Sequence, residues 1–523
     1  MPLTFKIVGR NIPSPEELVN VAYLIADNWD DFGYKTLFTL TVIDEYVDEN
    51  DIGSVKIGFA GQSAGWTTEE IQEKSFNALP ENFFSLGQDA NYYRNIVEKL
   101  SEDTAKEVLV ALRDVADSLA CMGIAEKEKV FGISLLRFVR DASIKHQFRR
   151  ILRHEAPLTD YNFLYGKASS DCYSGIKVSF FVNPDEKPSS NIHVLIGRNG
   201  VGKTTLLNDM VDALLPSRDD AEAKGVFFNE NATDKVDFAG VVSVSFSAFD
   251  PFQPPPDGED PTTGFLYSYV GLKKRSDDQG SESLGLKDRN DLCNDFVSSI
   301  GACFSLTAKK ARWLAAVQKL ESDLNFALMD LPSLFNAYDE CSDSEKVNFC
   351  ESASRLFSLM SSGHAIVLLT ITKLIETVEE KTLVLIDEPE SHLHPPLLSA
   401  FTRALSDLLV DRNGVAIIAT HSPVVLQEVP KSCVSILHRT KLVATVDKPE
   451  IETFAENVGI LTREVFGLEV SKSGFHDLLA KSVADGKSFE EIAEEYHNQL
   501  GFEGRAILRS MILTRGSEEA TVG

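Results

Sequence analysis

Apolar residues follow two different periods along the chain. Short apolar runs bounded by polar or glycine-rich turns predict β-strands across residues 4–60 and again at 161–165, 176–182, 191–197, 241–247, 382–386 and 415–419. Apolar residues at helical spacing predict mainly helix over 67–155, over 291–380 and in the last sixty residues. Stretches rich in Asp, Gly and Pro at 215–240 and 250–290 predict loops or insertions.

This order of elements predicts an α/β fold with a mixed β-sheet core and a large helical insertion. A chain of 523 residues is long enough for two or three domains, or for one large domain with insertions. The expected segments are a β-rich region at 1–65, a helical one at 66–158, an α/β lobe at 159–250, a helical insertion at 251–360, a second α/β lobe at 361–445 and a helical region at 446–523.

The composition argues against several classes of protein. With 51 basic and 79 acidic residues the net charge is −28, so the whole surface is a poor match for nucleic-acid phosphates. No run of about 18 apolar residues is present and the N-terminus has no apolar signal core, so we expect a cytoplasmic protein with no membrane partner. The seven cysteines are scattered without a CxxC pair, which argues against a zinc site and against a disulfide framework.

The segment Gly197–Thr204 matches the pattern GxxxxGK[ST] in full. An apolar strand precedes it and a helical segment follows it, as a phosphate-binding loop requires. The glycines let backbone N–H groups turn towards phosphate oxygens at a helix N-terminus. Lys203 is expected to reach the β- and γ-phosphates, and Thr204 to bind Mg²⁺. The residues expected to contact the nucleotide here are Asn199, Gly200, Gly202, Lys203, Thr204 and Thr205. Taken alone, this motif predicts ATP or GTP binding.

Two carboxylates end a second apolar strand, at Asp387 and Glu388. A continuous apolar run of this kind is typical of a parallel strand that is covered on both faces. Asp387 is expected to hold the Mg²⁺ shell, and Glu388 is expected to act as the general base on the attacking water. Two solvated acids at a strand end are the alternative, which the upstream phosphate loop makes less favourable.

Three further motifs follow in a fixed order. Met360–His364 opens an apolar helix shortly before the acidic pair, and Pro389–Pro395 follows that pair directly. Ala419–Ser422, with His421, ends the next strand. With these motifs the chain resembles the non-transporter ABC ATPases, such as the Rad50, RecF and OLD-type heads, over residues 160–430 apart from an insertion at 205–355.

The resemblance implies an ABC-type ATPase head that hydrolyses ATP–Mg²⁺ in a head-to-head dimer of two copies. The Met360–His364 segment is similar to the LSGGQ signature, with Ser in place of the first Gly and His in place of Gln. Its expected role is to contact the γ-phosphate of the opposite copy through Ser361, Ser362, Gly363 and His364. His421 is similar to the family's switch histidine and joins Glu388 as a catalytic candidate.

Two elements of the family pattern are open. The Q-loop glutamine that would complete the Mg²⁺ ligands has Gln253 as its nearest candidate. The aromatic residue that stacks on adenine has three candidates upstream of the phosphate loop: Tyr161, Tyr165 and Tyr173. His392 and His394 also allow a metal site, although the family's D-loop, to which Pro389–Pro395 is similar, accounts for both positions.

Four segments carry a finer resemblance. The segments WDDFGYKTLFTL, SFSAFDPF, ESHLHPP and LTREVFGLEVSKSGFHDLL are similar to the PtuA-type ATPases of bacterial Septu antiphage systems, which also occur with some retrons. The likeness implies an HNH nuclease partner (PtuB-like) that the ATPase assembles and gates, and further contact with DNA or with a retron RNA–DNA and reverse-transcriptase complex. No Toprim, HNH or serine-hydrolase motif is found in this chain. A stand-alone ATPase of DNA repair and a PARIS-like ATPase with a Toprim nuclease remain alternatives.

A basic stretch stands out in this acidic chain. Six cationic residues fall within 17 positions, several of them at helical spacing: Arg137, Arg140, Lys145, Arg149, Arg150 and Arg153. Contact with DNA or a partner is one interpretation. A solvated helix offset by neighbouring acids is the other.

Overall fold

The computed structural model describes most of the chain. The described residues are 3–9, 19–44, 47–71, 73–141, 143–154, 158, 160–169, 175–215, 224–229, 236, 238–247, 252–259, 265–274, 285–340, 346–470 and 474–522. Among them, no helix is both long enough and apolar enough to cross a bilayer.

Residues 3–154 form a unit with a sheet of its own, called here the N-terminal unit. The six strands lie in the order β7-β1-β2-β4-β5-β8, with β1 and β2 parallel and the other pairs antiparallel. The strands are β1 (Thr4–Val8), β2 (Val21–Ala26), β4 (Leu37–Ile43), β5 (Glu49–Phe59), β7 (Ser75–Phe76) and β8 (Phe83–Gly87), and a small pair is formed by β3 (Tyr34–Lys35) and β6 (Gly65–Trp66).

Helices cover this sheet and close a core with it. They are α1 (Ala90–Lys99), α2 (Glu102–Ala111), α3 (Leu119–Ala125) and α4 (Arg149–Leu152), with π-helical segments at Phe131–Leu135 and Ser143–Phe148 and a 3₁₀ turn at Thr67–Glu69. The expected boundary at residue 65 falls inside this sheet, because β7 and β8 follow it. The prediction of mainly helix from residue 67 is therefore wrong for 75–87.

A second sheet of eight strands lies at the centre of the remaining chain. Its order is β14-β15-β13-β18-β19-β11-β20-β21. The six inner strands of this order are parallel to one another, and the edge strands β14 and β21 are antiparallel to their neighbours. The strands are β11 (Ile192–Gly197), β13 (Gly240–Ser245), β14 (Gly258–Glu259), β15 (Leu266–Gly271), β18 (Thr382–Asp387), β19 (Val415–Thr420), β20 (Val434–Thr440) and β21 (Val443–Asp447).

Three antiparallel strands form a further small sheet, in the order β10-β9-β12. They are β9 (Tyr161–Lys167), β10 (Ile176–Val182) and β12 (Val226–Asn229), and a separate short pair is formed by β16 (Lys273–Lys274) and β17 (Gly285–Leu286). The loops predicted at 215–240 and 250–290 thus contain strands. β15 is part of the central sheet, and its apolar residues lie between Pro-rich and Asp-rich neighbours that mask the signal.

The central strands are apolar throughout because both faces of the sheet are covered. In β18, Val384 and Ile386 face one core, whereas Leu383 and Leu385 face the other. The helix α5 (Lys203–Leu214) and the small sheet cover the second face. A helical layer covers the first face.

The helical layer and the C-terminal region contain most of the remaining helices. These are α6 (Arg289–Phe304), α7 (Thr307–Leu320), α8 (Leu324–Leu328), α9 (Ser333–Glu340), α10 (Lys346–Leu359), α11 (Ser362–Thr377), α12 (Pro395–Arg412), α13 (Pro423–Leu426), α14 (Val458–Val470), α15 (Phe475–Ala484), α16 (Phe489–Glu495) and α17 (Phe502–Val522), with 3₁₀ turns at Pro389–His392 and Lys431–Cys433. The predicted α/β class with a mixed sheet and a helical insertion is confirmed.

A buried charge network joins the N-terminal unit to the helical layer. Asp89, which caps α1, pairs with Arg312 of α7 at 2.7 Å and with Arg412 at the end of α12 at 3.3 Å. Arg412 also pairs with Glu379, which lies just before β18. Burial alone would raise the pKa of Asp89, but the two guanidinium groups hold the pKa of this carboxyl well below its usual range.

The substitution Asp89→Asn removes the negative charge but should keep the N-cap of α1, because Asn caps helices as well as Asp does. Two buried arginines would lose their shared partner, at a cost of about 3–5 kcal/mol in the free energy of unfolding. Because the folded pKa is depressed, this contribution is present above about pH 4 and is lost as the pH falls further.

Urea denaturation of the two proteins at neutral and acidic pH, followed by tryptophan fluorescence, measures this difference. The control is Asp407→Asn, whose pair with Lys319 is about half exposed and is worth at most about 1 kcal/mol. Equal losses for the two variants would show that the network does not hold the two parts together.

Candidate nucleotide-binding site

The register of the central sheet brings the sequence motifs to one edge. Ile196 of β11 pairs with Thr420 of β19, and Asp387 of β18 pairs with Ala419. Ser245, at the end of β13, pairs with Asp387. The loops that leave the carboxyl ends of these parallel strands therefore meet, which is where ligands bind in open α/β sheets.

The loop after β11 has the backbone that a phosphate cradle needs. Gly202 has φ +97° and immediately precedes α5, a conformation that residues with a Cβ rarely adopt. Gly197 lies so close to β20 that a Cβ there would be 2.5 Å from the carbonyl oxygen of Leu437. The N-terminal N–H groups of α5 thus face the open end of the loop.

Lys203 is buried and folds back over this loop. Its Nζ donates to the carbonyl oxygens of Gly197 at 3.1 Å and Arg198 at 3.3 Å. The ammonium group is therefore held at the loop that would carry phosphates. Asn199, Gly200 and Thr205 are exposed, and Thr204 is half-buried at the first turn of α5.

Glu388 has a left-handed backbone, with φ 45° and ψ 58°. This conformation is uncommon for a residue with a long side chain and is found at strained functional positions. It is held by the hydrogen bond from the Glu388 N–H to the Ala419 carbonyl at 2.8 Å. The carboxylate is 35% exposed, so a water molecule can reach it.

His421 follows β19 and lies next to two glutamates. Its Nδ1 is 3.1 Å from Glu390 Oε1 and 3.8 Å from Glu388 Oε1. Glu390 Oε1 also accepts from the Thr420 hydroxyl at 2.6 Å and from the His421 N–H at 2.7 Å. Glu390 has no predicted role of its own in the sequence motifs, but its hydrogen bonds hold the loop that carries His421.

The signature segment begins α11, with Ser361 as the N-cap. Ser361 and Ser362 are exposed, whereas Gly363 and His364 are buried. A Cβ at Gly363 would be 2.4 Å from the His392 carbonyl oxygen, so glycine allows the D-loop to pack against the signature helix. His364 turns inward, which does not favour the direct nucleotide contact predicted for it.

The structure separates, within one chain, the two helix N-termini that are predicted to bind phosphate. α5 packs on one face of the central sheet, through Leu206 and Met210. α11 packs on the opposite face, through Leu368 and Ile371. The structure therefore groups Lys203, Asp387, Glu388 and His421, and it leaves Ser361 with a different surface.

The candidates for the Q-loop glutamine and for the aromatic residue that stacks on adenine differ in how well their positions suit those roles. Gln253 is exposed in a segment without helix or strand, and its predicted contact with Mg²⁺ remains a prediction. Tyr165 is fully buried and donates to the Lys224 carbonyl, so stacking on a base is not favoured. Tyr161 donates to the Asn413 carbonyl at 3.1 Å. Tyr173 lies outside the described residues.

The predicted alternative of a metal at His392 and His394 is not favoured by the contacts. His394 uses both ring nitrogens, one towards Asp323 at 2.9 Å and the other as acceptor from Leu397 N–H at 3.1 Å. His392 Nε2 is 3.4 Å from the Phe246 carbonyl. Among the described residues, no cluster of three or more His, Cys, Asp or Glu side chains is suited to a metal ion.

The basic stretch does not form one continuous helix: it contains the π-helical segment Ser143–Phe148 and the short helix α4. Arg137 pairs with the buried Asp31 at 2.7 Å, and Arg150 pairs with Glu380. Arg149 Nε donates to the Ala116 carbonyl at 3.1 Å, and Lys145 pairs with Asp141 at 2.6 Å. These contacts favour the interpretation of a helix offset by acids. Arg153 is exposed.

Arg439 is a candidate that the sequence analysis did not identify. It lies two residues beyond Leu437, the register partner of Gly197, and its guanidinium is 3.2 Å from the position that a Cβ would take at Gly202. Its Nε donates to the Lys441 carbonyl at 3.1 Å, which holds the side chain in this orientation. The sequence does show a basic residue near the carboxyl end of an apolar strand, and this feature could have identified Arg439.

We expect Arg439→Ala to raise the dissociation constant for ATP–Mg²⁺ by about 10- to 100-fold, the loss of one charge-assisted hydrogen bond. Isothermal titration measures this, with Arg439→Lys expected to recover part of the affinity. Arg463→Ala, which removes an exposed guanidinium paired with Glu503, is the matched control. Unchanged affinity in Arg439→Ala would remove Arg439 from the site.

Comparison with known proteins places this geometry in a family. Residues 348–427, which span the signature, the acidic pair and the switch histidine, match the family model described as "AAA domain, putative AbiEii toxin, Type IV TA system". Solved structures with partial likeness include the ADP conformation of the ATP-binding cassette of an ABC transporter (15% identity, 60% of this chain, 100% of that chain, TM-score 0.29). UvrA2 from Deinococcus radiodurans is another (15% identity, 57% of this chain, 38% of that chain, TM-score 0.28). Likenesses of this size add nothing to the argument.

A whole-length relative is decisive. The chain is 46% identical over 531 residues to protein Ea59 of Escherichia phage lambda, and the match covers 98% of this chain and 99% of that protein. This match shows that the chain belongs to the family of the phage lambda protein Ea59, and the motifs at the edge of its central sheet are those of a P-loop ATPase.

Proposed function

We propose that this protein hydrolyses ATP at two composite sites formed between two copies of the chain. The observation that supports this best is the placement of the two helix N-termini, at α5 and α11, on elements that pack against opposite faces of the central sheet. One copy would supply the phosphate loop, Glu388 and His421. The other would supply Ser361, Ser362 and Gly363.

The residues at the edge of the sheet fit ATP–Mg²⁺. The left-handed glycines of the loop and the first turn of α5 offer backbone donors to phosphate, and Lys203 offers a buried ammonium group. Thr204 and Asp387 offer the oxygen ligands that Mg²⁺ prefers, with Gln253 as the further candidate. When bound, Mg²⁺ would neutralise charge that develops on the transferred phosphoryl group.

Glu388 would accept a proton from the attacking water. Its strained backbone aims a half-exposed carboxylate towards the same edge as Lys203, and its N–H hydrogen bond to Ala419 fixes that direction. His421 would contact the γ-phosphate and hold it in position for hydrolysis. Glu390 holds the backbone and the side chain of the loop at Thr420–His421, so that a change at the D-loop would move His421 directly.

We expect Glu388→Gln to lower the rate of hydrolysis by about 10²–10⁴-fold, because it removes the general base. ATP binding should persist, and a stable dimer should accumulate with ATP–Mg²⁺. Phosphate release measures the rate, and light scattering after size exclusion measures the mass with and without ATP.

The matched control is Glu503→Gln, an exposed glutamate at the start of α17. It should behave as the parent protein does. A Glu388→Gln protein that binds ATP but keeps one mass under both conditions would contradict the composite site.

We further infer that the ATPase gates a separate HNH nuclease in antiphage defence. The support is the PtuA-like likeness of segments outside the matched ATPase region. The segment WDDFGYKTLFTL covers β3 and the first part of β4 of the N-terminal unit, and LTREVFGLEVSKSGFHDLL covers most of α14 and the start of α15. A relative in a phage genome is compatible with exclusion of competing phages by a resident prophage.

Co-expression of the chain with the product of a neighbouring HNH gene tests this inference. We expect a stable complex whose DNA cleavage depends on ATP and changes in Glu388→Gln, with the Glu503→Gln complex as control. A Toprim product that associates instead would support the PARIS-like alternative. Binding of DNA ends by this chain alone, with no partner, would support the stand-alone repair ATPase.

A further inference from the structure

A hydrogen-bonded chain of four side chains lies behind the signature serine. Ser361 Oγ is 2.6 Å from His364 Nδ1, and His364 Nε2 is 3.1 Å from Asp323 Oδ1. The second oxygen of Asp323 is 2.9 Å from His394 Nε2. The chain therefore joins the N-cap of α11, the N-cap of α8 and the N-cap of α12.

Asp323 is buried, and its carboxylate accepts hydrogen bonds from side chains and from the backbone. Besides the two imidazoles, Oδ1 accepts from the N–H groups of Asn325 at 2.8 Å and Phe326 at 3.3 Å. Burial alone would raise the pKa of Asp323, but the hydrogen bonds from His364 and from these N–H groups lower it below its ordinary value. The group is thus an ionised carboxylate, which only accepts.

The partners of Asp323 fix one nitrogen on each imidazole. His394 must carry its proton on Nε2, because Nδ1 accepts from Leu397 N–H, so this ring is neutral. His364 also carries a proton on Nε2, towards Asp323. Its Nδ1 is the remaining variable, since it can either accept from the Ser361 hydroxyl or, when protonated, donate to it.

The two states of His364 point the Ser361 proton in opposite directions. Beside a neutral ring the hydroxyl donates inward, and only oxygen lone pairs remain for an approaching phosphate, which is repulsive. Beside an imidazolium the hydroxyl oxygen accepts from Nδ1–H, and its own proton is free to bind a phosphate oxygen. The exposed Ser361 side chain can offer that proton to a second copy.

We propose that His364, held by Asp323, positions the Ser361 hydroxyl, and that ATP-driven association of two copies takes up one proton at His364 in each. This inference rests on the composite site proposed above. It makes His364 and Asp323 positioning residues that act through Ser361 rather than direct contacts of the nucleotide.

The groups that surround His364 can stabilise its ring in the protonated, positively charged form. Asp323 faces it from the N-cap of α8 and carries the negative charge, and the Phe326 ring of the same helix lies 5.0 Å away between centroids. The His394 ring faces it from α12 at 6.4 Å and is kept neutral by its two hydrogen bonds. Among the described contacts of His364, Asp323 and His394 are the titratable partners, and Ser361 completes the set.

The pH dependence follows from linkage. An approaching phosphate favours the protonated ring, so protonation of His364 and association of two copies stabilise each other. Association should therefore be strongest at low pH and weaken as the pH rises through the range in which histidines titrate. The dissociation constant should rise by at most about tenfold per pH unit for each of the two sites.

The experiment uses the full-length Glu388→Gln protein with ATP–Mg²⁺. The dimer dissociation constant is measured by analytical ultracentrifugation between about pH 6 and about pH 8.5, the range in which histidines titrate. In this background, His364→Gln should still associate but should lose most of the pH slope. Asp323→Asn keeps the cap of α8 and should move the transition to lower pH by about one unit or more.

Ser361→Gly guards against misfolding of the buried variants. Glycine is tolerated at an N-cap, and the exposed hydroxyl can be removed without disturbing Asp323. It should weaken association and remove the same pH slope. His497→Asn, at an exposed histidine of the C-terminal region, is the control for loss of an imidazole and should retain the parent slope.

The outcomes are distinct. If ATP induces no dimer of the Glu388→Gln protein at any pH, both the composite site and this inference fail. If the dimer forms but His364→Gln and Ser361→Gly keep the parent slope, only the role of His364 fails. A purely structural role would lower the melting temperature of Asp323→Asn without moving the pH of the transition, and that result would also overturn the inference.

Discussion

The parallel pairing of β18, β19 and β11 is the constraint on which the site depends. Gly197 and Asp387 are 190 positions apart in the sequence, but they lie at the same edge of the sheet because parallel strands end there. Through Ala419 of the intervening β19, Asp387 is level with Leu195, two residues before Gly197. Both faces of these strands are buried, so a one-residue slip would exchange two apolar cores and is strongly disfavoured. The relative positions of the candidate site residues are therefore set by core packing, and the motif loops supply the polar groups.

The same strand connects the site to the N-terminal unit. Glu379 and Glu380, just before β18, pair with Arg412 and Arg150, and Arg412 continues to Asp89 at the cap of α1. Buried charges of this kind stabilise little when compared with an apolar replacement, but they are costly to leave unpaired. A movement of the N-terminal unit would therefore displace the start of β18, the strand that ends in Asp387. The ion pairs thus connect the two parts of the chain physically.

Patterns within one segment could be predicted from the sequence, whereas pairings between segments could not. The phosphate loop, the acidic pair and the class of fold follow from local spacing. β15 was missed because its neighbours are rich in Pro, Gly and Asp, and β7 and β8 were missed because they are short strands among helical segments. Arg439, Glu390 and Asp323 carry no motif of their own. Their partners lie at least 30 positions away, or in a different layer, so that only the fold reveals them.

Glu390 and Asp323 solve one physical problem in the same way. A loop that must present polar groups to phosphate cannot be held by apolar packing alone, because its backbone N–H groups and side chains need acceptors. A carboxylate that is largely shielded from water supplies several acceptors at one point. Glu390 takes the His421 N–H and the Thr420 hydroxyl and lies beside the His421 ring, whereas Asp323 takes two backbone N–H groups and contacts two histidine rings. One carboxylate fixes the switch loop and the other fixes the signature helix. The D-loop segment Pro389–Pro395 contains both Glu390 and His394, and His394 contacts Asp323, so the two carboxylates hold the segment near its two ends. A displacement of this short segment would thus act on both halves of a composite site at once, which links the Ser361 side of one site to the His421 side of the other.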